Sequence, residues 1–140
     1  MQPGLFPDAT KERFYPQLQS AANARSARRS RRHPLRVCVL GSGSGGNCTV
    51  VQHRNHAMLI DMGFGPVTIT RRLHQAGLSL DQINAVCLTH LDQDHFRPHW
   101  MRTLQGFGIH VYLHRWHLDM FRAIPGAPTH ERAGFVHAID

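Results

Sequence analysis

The sequence predicts a layered α/β domain behind a basic leader that does not fold. Three observations carry this reading. Short β-branched runs alternate with segments of helical period from Leu35 onward, and glycine and proline punctuate their junctions. The densest polar cluster, Thr89 to Phe96, follows directly on the apolar run Ala85 to Leu88, at the strand end where open α/β sheets keep their chemistry.

At 140 residues the chain fits one domain, and with residues 1–34 set aside about a hundred remain to build a core. That suffices for a two-layer half-domain. The formal charge of +7 is uneven: residues 1–34 carry seven Lys and Arg against two Asp and Glu, and residues 35–140 carry nine against seven. The leader mixes Pro, Gln, Ser, Ala and Arg without an apolar period and ends in Arg28, Arg29, Arg31 and Arg32, the composition of a disordered tail. Such a tail touches phosphates without reading sequence, while a plain solvated leader is the simpler account. Cys38, Cys48 and Cys87 are few, odd in number and set in strand-like runs, which predicts reduced thiols in a cytoplasmic protein. No apolar run has the length of a membrane span, and no secretory h-region is present.

Taken in order, Arg36 to Leu40 reads as a strand running into Gly41-Ser-Gly-Ser-Gly-Gly46. The β-branched run Asn47 to Gln52, the turn residues Arg54 and Asn55, and Ala57 to Ile60 predict strand, tight turn and strand. Pro66 opens a helix with Ile69, Leu73 and Ala76 on one face and Gly77 as its stop. Ser79 and Gln82 form a capping-box pattern before the Ala85 strand. Pro98 opens a second helix through Leu104, closed by Gly106 and Gly108. Ile109 to Leu113 is a strand, Arg115 to Arg122 a helix, Pro125 to Pro128 a loop, and Gly134 to Ile139 a last strand.

Gly41 to Gly46 also fits Gly-x-Gly-x-x-Gly, with Asp61 twenty residues after Gly41, so a dinucleotide-binding module competes for this segment. That module requires a helix after Gly46. In the other reading the glycines let backbone pass close to the polar loop, with Ser42 or Ser44 bonding near it.

His90, Asp92, Asp94 and His95 put two imidazoles and two carboxylates within six residues, the donor types that hold zinc, iron or manganese. In an extended segment His90, Asp92 and Asp94 share one side, and His95 joins them once the chain turns. The competing reading is a polar loop whose His and Asp residues bond one another. His74, His99, His114, His117 and His137 lie outside the cluster and are read as structural or surface residues.

The run His90-x-Asp92-x-Asp94-His95 resembles the His-x-His-x-Asp-His signature of the metallo-β-lactamase fold superfamily. Upstream, Val39 to Asn47 resembles the family's first strand and Gly/Ser loop, and Leu59-Ile60-Asp61-Met62-Gly63 its following strand. Within the superfamily the likeness points to the nuclease-like WalJ/YycJ-type branch and covers residues 36–113. The resemblance implies the amino-terminal half of an αββα sandwich. It implies that His90 holds a first metal, that Asp94 and His95 hold a second, and that Asp61 supports the loop from the neighbouring strand. One or two zinc ions are the implied cofactor, with manganese or iron as substitutes.

Two departures stand out. Asp92 replaces the second His of the signature, a harder and more anionic ligand. The family's remaining ligands, a His, a bridging Asp and a final His, lie farther downstream than Asp140, so a continuation of the chain would have to supply them. The activity implied is metal-assisted hydrolysis, with Asp94 orienting water and taking its proton and Asp92 as a ligand or second acceptor. The nuclease-like branch and the basic leader favour a phosphodiester substrate such as nucleic acid. The alternative is a non-catalytic remnant or a fragment of a longer metallo-hydrolase.

Overall fold

A computed structural model describes residues 33–140, and the basic leader lies outside these apart from His33 and Pro34. Six strands form one sheet in chain order: β1 (Arg36–Gly41), β2 (Cys48–His53), β3 (His56–Ile60), β4 (Ile83–Leu88), β5 (His110–His114) and β6 (Val136–Ile139). β1 to β3 are antiparallel and β3 to β6 parallel. The change of direction follows from the connections. A two-residue turn with Arg54 at φ 56° closes the β2–β3 hairpin, whereas β3 reaches β4 through the helix α1 (Pro66–Gln75). The segment after Gly46 is thus a strand paired on both sides, and the dinucleotide-binding reading is overturned because no helix N-terminus stands there to receive a pyrophosphate.

The helix α1 buries Ile69 and Leu73 completely, each worth about 1.5–3 kcal/mol. Gly77, at φ 77°, ends it in a left-handed conformation that a side chain would strain. Before β4 the Gln82 carboxamide oxygen accepts the Ser79 N–H at 2.9 Å, one half of a capping box. A 3-10 turn from Pro98 to Trp100 leads into α2 (Met101–Phe107). The helix expected over Arg115 to Arg122 divides into a 3-10 turn, Arg115–His117, and α3 (Leu118–Arg122). The expected loop at Pro125 to Pro128 instead opens a helix, α4 (Ala127–Arg132). Gly126 turns the chain at φ 93°, and Pro128 sits in the first turn, where its missing N–H costs nothing.

Burial alternates along the strands. Val50, Leu59, Val86, Leu88, Val111 and Leu113 are buried against Ile69, Leu73, Trp100, Leu104 and Phe121. The other face carries Val37 and Val39, 61% and 62% exposed, beside the half-buried Val51, Met58 and Ile60. Among the described residues the helices cover one face of the sheet and leave the other open. The three thiols are free. Burial pushes the Cys48 thiol up to about 12, with the Asp61 carboxylate adding to the rise, and Cys87 is raised for the same reasons. Cys38 is exposed because β1 is an edge strand among the described residues.

Candidate metal centre

Parallel pairing of β3 with β4 brings the residues that follow them to one edge of the sheet. Asp61 follows β3 and is only 5% exposed. It has φ 60°, a left-handed backbone that Asp tolerates better than most residues and that costs roughly 1–2 kcal/mol. Its carboxylate accepts three hydrogen bonds. Oδ1 takes the Thr89 N–H at 2.8 Å, and Oδ2 takes the Thr89 hydroxyl at 2.8 Å and His95 Nδ1 at 2.7 Å.

Donor and acceptor accounting then settles both imidazoles. A carboxylate only accepts, so His95 Nδ1 carries the proton. The Thr89 hydroxyl spends its hydrogen on Asp61, so its oxygen accepts from His90 Nδ1 at 3.0 Å. Both Nε2 atoms then carry lone pairs, that of His95 accepting the Asn47 amide at 3.1 Å, and Nδ1 commitments of this kind orient histidine ligands in metal sites. The two rings are tilted by 38° with centroids 3.7 Å apart. His95 Nε2 stands 3.3 Å from Asp94 Oδ2. The Asn47 amide stands between these two acceptors, 3.2 Å from Asp94 Oδ2 and 3.1 Å from His95 Nε2, and offsets their repulsion. His90, Asp94 and His95 each offer one ligand atom, and these lie within 4.8 Å of one another, so the donor set fits a transition-metal ion.

Asp92 stands apart from this group. Its side chain is 75% exposed and reaches 3.6 Å from His90 Nε2. The extended alternation expected through the loop does not occur. The chain curls at Asp92, whose carbonyl accepts the N–H groups of His95 and Phe96, each at 2.8 Å. That curl brings Asp94 and His95 inward together.

Four further residues hold the loop, and composition alone did not single them out. Asn47 donates its backbone N–H to the Asp94 carbonyl at 2.7 Å and its amide to Asp94 Oδ2 at 3.2 Å, while Asn47 Oδ1 accepts the Gly43 N–H at 3.0 Å. The role expected of Ser42 or Ser44 falls to this side chain. Thr89 links Asp61 to His90. Gly63 admits the loop at all, since a Cβ there would lie 1.7 Å from the Asp94 carbonyl oxygen. Arg97 donates Nε to the Gly63 carbonyl at 2.6 Å and Nη2 to that of Gly45 at 3.2 Å, tying the glycine loop to the polar one. The signal was Gly63 in its Asp-x-Gly context and Asn47 closing the glycine run. The other histidines lie elsewhere: His74 and His99 are exposed, His114 caps the Arg115–His117 turn, and His137 Nε2 meets His110 Nδ1 at 2.8 Å.

Residues 41–97 match the profile of the metallo-beta-lactamase superfamily, a span that contains the glycine loop, Asp61 and the whole polar cluster. The described residues carry part of a metallo-β-lactamase-like fold. Among solved structures it is similar to a chemotaxis sensor, ODP, described with a peroxy diiron species, at 16% identity and a TM-score of 0.58 over 77% of this chain and 42% of that one. It is also similar to a class B3 di-zinc metallo-beta-lactamase from an Alaskan soil metagenome, at 12% identity and a TM-score of 0.55 over 64% of this chain and 34% of that one. Human tRNase Z, short form, aligns at 23% identity with a TM-score of 0.50 over 73% of this chain and 43% of that one. The chain thus spans less than half the length of each of these proteins. No curated protein matches it. No helix among the described residues is long and apolar enough to cross a membrane.

Proposed function

We propose that this chain forms the metal-binding half of a metallo-hydrolase that cleaves a phosphodiester, with nucleic acid as the substrate class. The observation that carries the reading is the pair of histidines whose Nδ1 atoms are committed to Asp61 and Thr89, set beside Asp94 so that the three residues' ligand atoms lie within 4.8 Å of one another. His90, Asp94 and His95 would hold a zinc ion, with iron or manganese suiting the same donors. Such an ion supplies Lewis acidity and screens negative charge as it develops on phosphorus.

The chain's own residues do the rest. Asp61 keeps His95 in one tautomer and one orientation. Asn47 engages Asp94 Oδ2 and leaves Oδ1 to orient a water and accept its proton. Asp92, exposed beside His90, serves as a second acceptor or an added ligand. The net charge of +7 favours an anionic substrate, which suits a phosphodiester. The WalJ/YycJ-type branch and a cytoplasmic setting with reduced thiols belong to the same proposal.

A second reading is favoured by the open sheet face and by the small share of each neighbour that the chain spans. Here the cluster is incomplete by itself, and further polypeptide supplies the remaining ligands. Turnover of a bis-aryl phosphodiester beside that of a β-lactam, for the wild type and Asp94→Ala with and without chelator, tests both readings. Phosphodiester turnover lost in the variant and with chelator supports the hydrolase. Metal bound without any turnover leaves the incomplete centre.

A further inference from the structure

Asn47 is half-buried between the glycine turn and the polar loop, and its neighbours fix which end of its amide faces which way. The Gly43 N–H can only donate, so the atom 3.0 Å from it is Oδ1. Nδ2 then faces four acceptors: the Gly43 carbonyl at 3.2 Å, the Asp94 carbonyl at 3.3 Å, Asp94 Oδ2 at 3.2 Å and His95 Nε2 at 3.1 Å. His95 Nε2 belongs among them because its Nδ1 carries the ring proton toward Asp61.

Two hydrogens thus serve four acceptors. The amide can lose two of these partners without leaving a hydrogen unbonded, and so without the cost of an unsatisfied donor. The four divide into unlike pairs. Two are backbone carbonyls, whereas Asp94 Oδ2 and His95 Nε2 belong to the metal cluster and stand 3.3 Å apart. Two ligand atoms bound at 2.0–2.1 Å to a tetrahedral zinc ion lie about 3.3 Å from each other, so the pair already has the separation that an ion requires.

We infer that Asn47 is the positioning residue of this centre: its amide holds Asp94 Oδ2 and His95 Nε2 at ligand spacing and yields both to a cation of the zinc type. Its two hydrogens then rest on the Gly43 and Asp94 carbonyls, and Oδ1 keeps the Gly43 N–H. The inference rests on the metal-centre reading above and is independent of the substrate. Before an ion arrives, the N–H groups offset the repulsion of the two acceptors. When it arrives, the amide stays in place and only its partners change.

The test is a zinc titration of the isotope-labelled full chain, followed by two-dimensional amide NMR, with affinity measured by competition against a chromophoric chelator. The Asn47 carboxamide signals are expected to shift with the first equivalent of zinc, while the Gly43 N–H signal moves far less. Asn47→Ala is expected to bind zinc about tenfold more weakly with its circular dichroism unchanged. Carboxamide signals that bound zinc leaves in place overturn the inference. A Gly43 N–H signal that moves as far as the carboxamide also overturns it, since the amide would then have swung away. So does a folded Asn47→Ala that binds zinc as tightly as the wild type. Should that variant misfold, the wild-type titration decides alone. The two readings fail separately: a wild type that binds no zinc removes the metal centre itself, and zinc bound with Asn47 unmoved removes only its proposed role.

Discussion

The sheet edge that carries Asp61, Asn47 and His95 and the sheet face that carries Val37, Val39 and Met58 are built by the same strands. On the edge, each polar group is engaged by another: Asp61 alone accepts three hydrogen bonds, and no buried side-chain polar atom among the described residues lacks a partner. Among the described residues, apolar side chains on the open face meet water, and β1 adds a strand edge without a partner, with only Arg36 to discourage association. The polar loop is therefore held by residues 43–97 themselves, while the apolar face lies open among the described residues. Local hydrogen bonds can complete a loop; only a second surface can complete a face.

The comparison breaks most visibly at Gly63. Gly63→Ala drives a Cβ into the Asp94 carbonyl and must displace the loop, so unfolding free energy should fall by roughly 3 kcal/mol or more, with metal binding lost as well. Chemical denaturation followed by metal titration checks both. Asp61→Asn comes next. Asn adopts the same left-handed backbone but has one oxygen where three donors converge. Metal affinity should drop about 10–100-fold with the fold intact, as read by competition with a chromophoric chelator and by circular dichroism.

Much of this was legible in the residues. The β2–β3 hairpin announces itself through β-branched residues around Arg54 and Asn55, and four ligand-type side chains in six positions mark the loop. The geometry inside the loop was not legible, because it depends on the Asp92 carbonyl curling the chain and on Asn47 bonding to Asp94 forty-seven residues away. Pattern reading sees neighbours in sequence, and the loop's support comes from a neighbouring strand. The helix α4 hid behind Pro125 and Pro128, which read as breakers although Pro128 stands where a helix accepts it.

On the open face the expected effects are smaller. Val37→Lys combined with Val39→Lys should leave stability within about 0.5 kcal/mol per site while suppressing self-association in sedimentation velocity, since both side chains are already in water. Destabilisation well beyond that would mean the face is already covered. The smallest effect is pH-linked. Burial holds His130 below its ordinary value of 6.5, with its Nε2–H on the Ile109 carbonyl at 2.8 Å. A folded-state pKa below the unfolded one means that the unfolded chain binds the proton first. The His130 contribution is therefore full above 6.5 and is lost as pH falls through the folded value. His130→Gln should flatten that decline in denaturation midpoints taken across the range.

Metal content by mass spectrometry on purified protein tests the central claim most directly, with the wild type beside His90→Ala and Asp94→Ala. Near-stoichiometric zinc, iron or manganese in the wild type, lost from both variants, is the predicted result. A wild type that carries no metal, or variants that retain it in full, would contradict the assignment of His90, Asp94 and His95 as a metal centre.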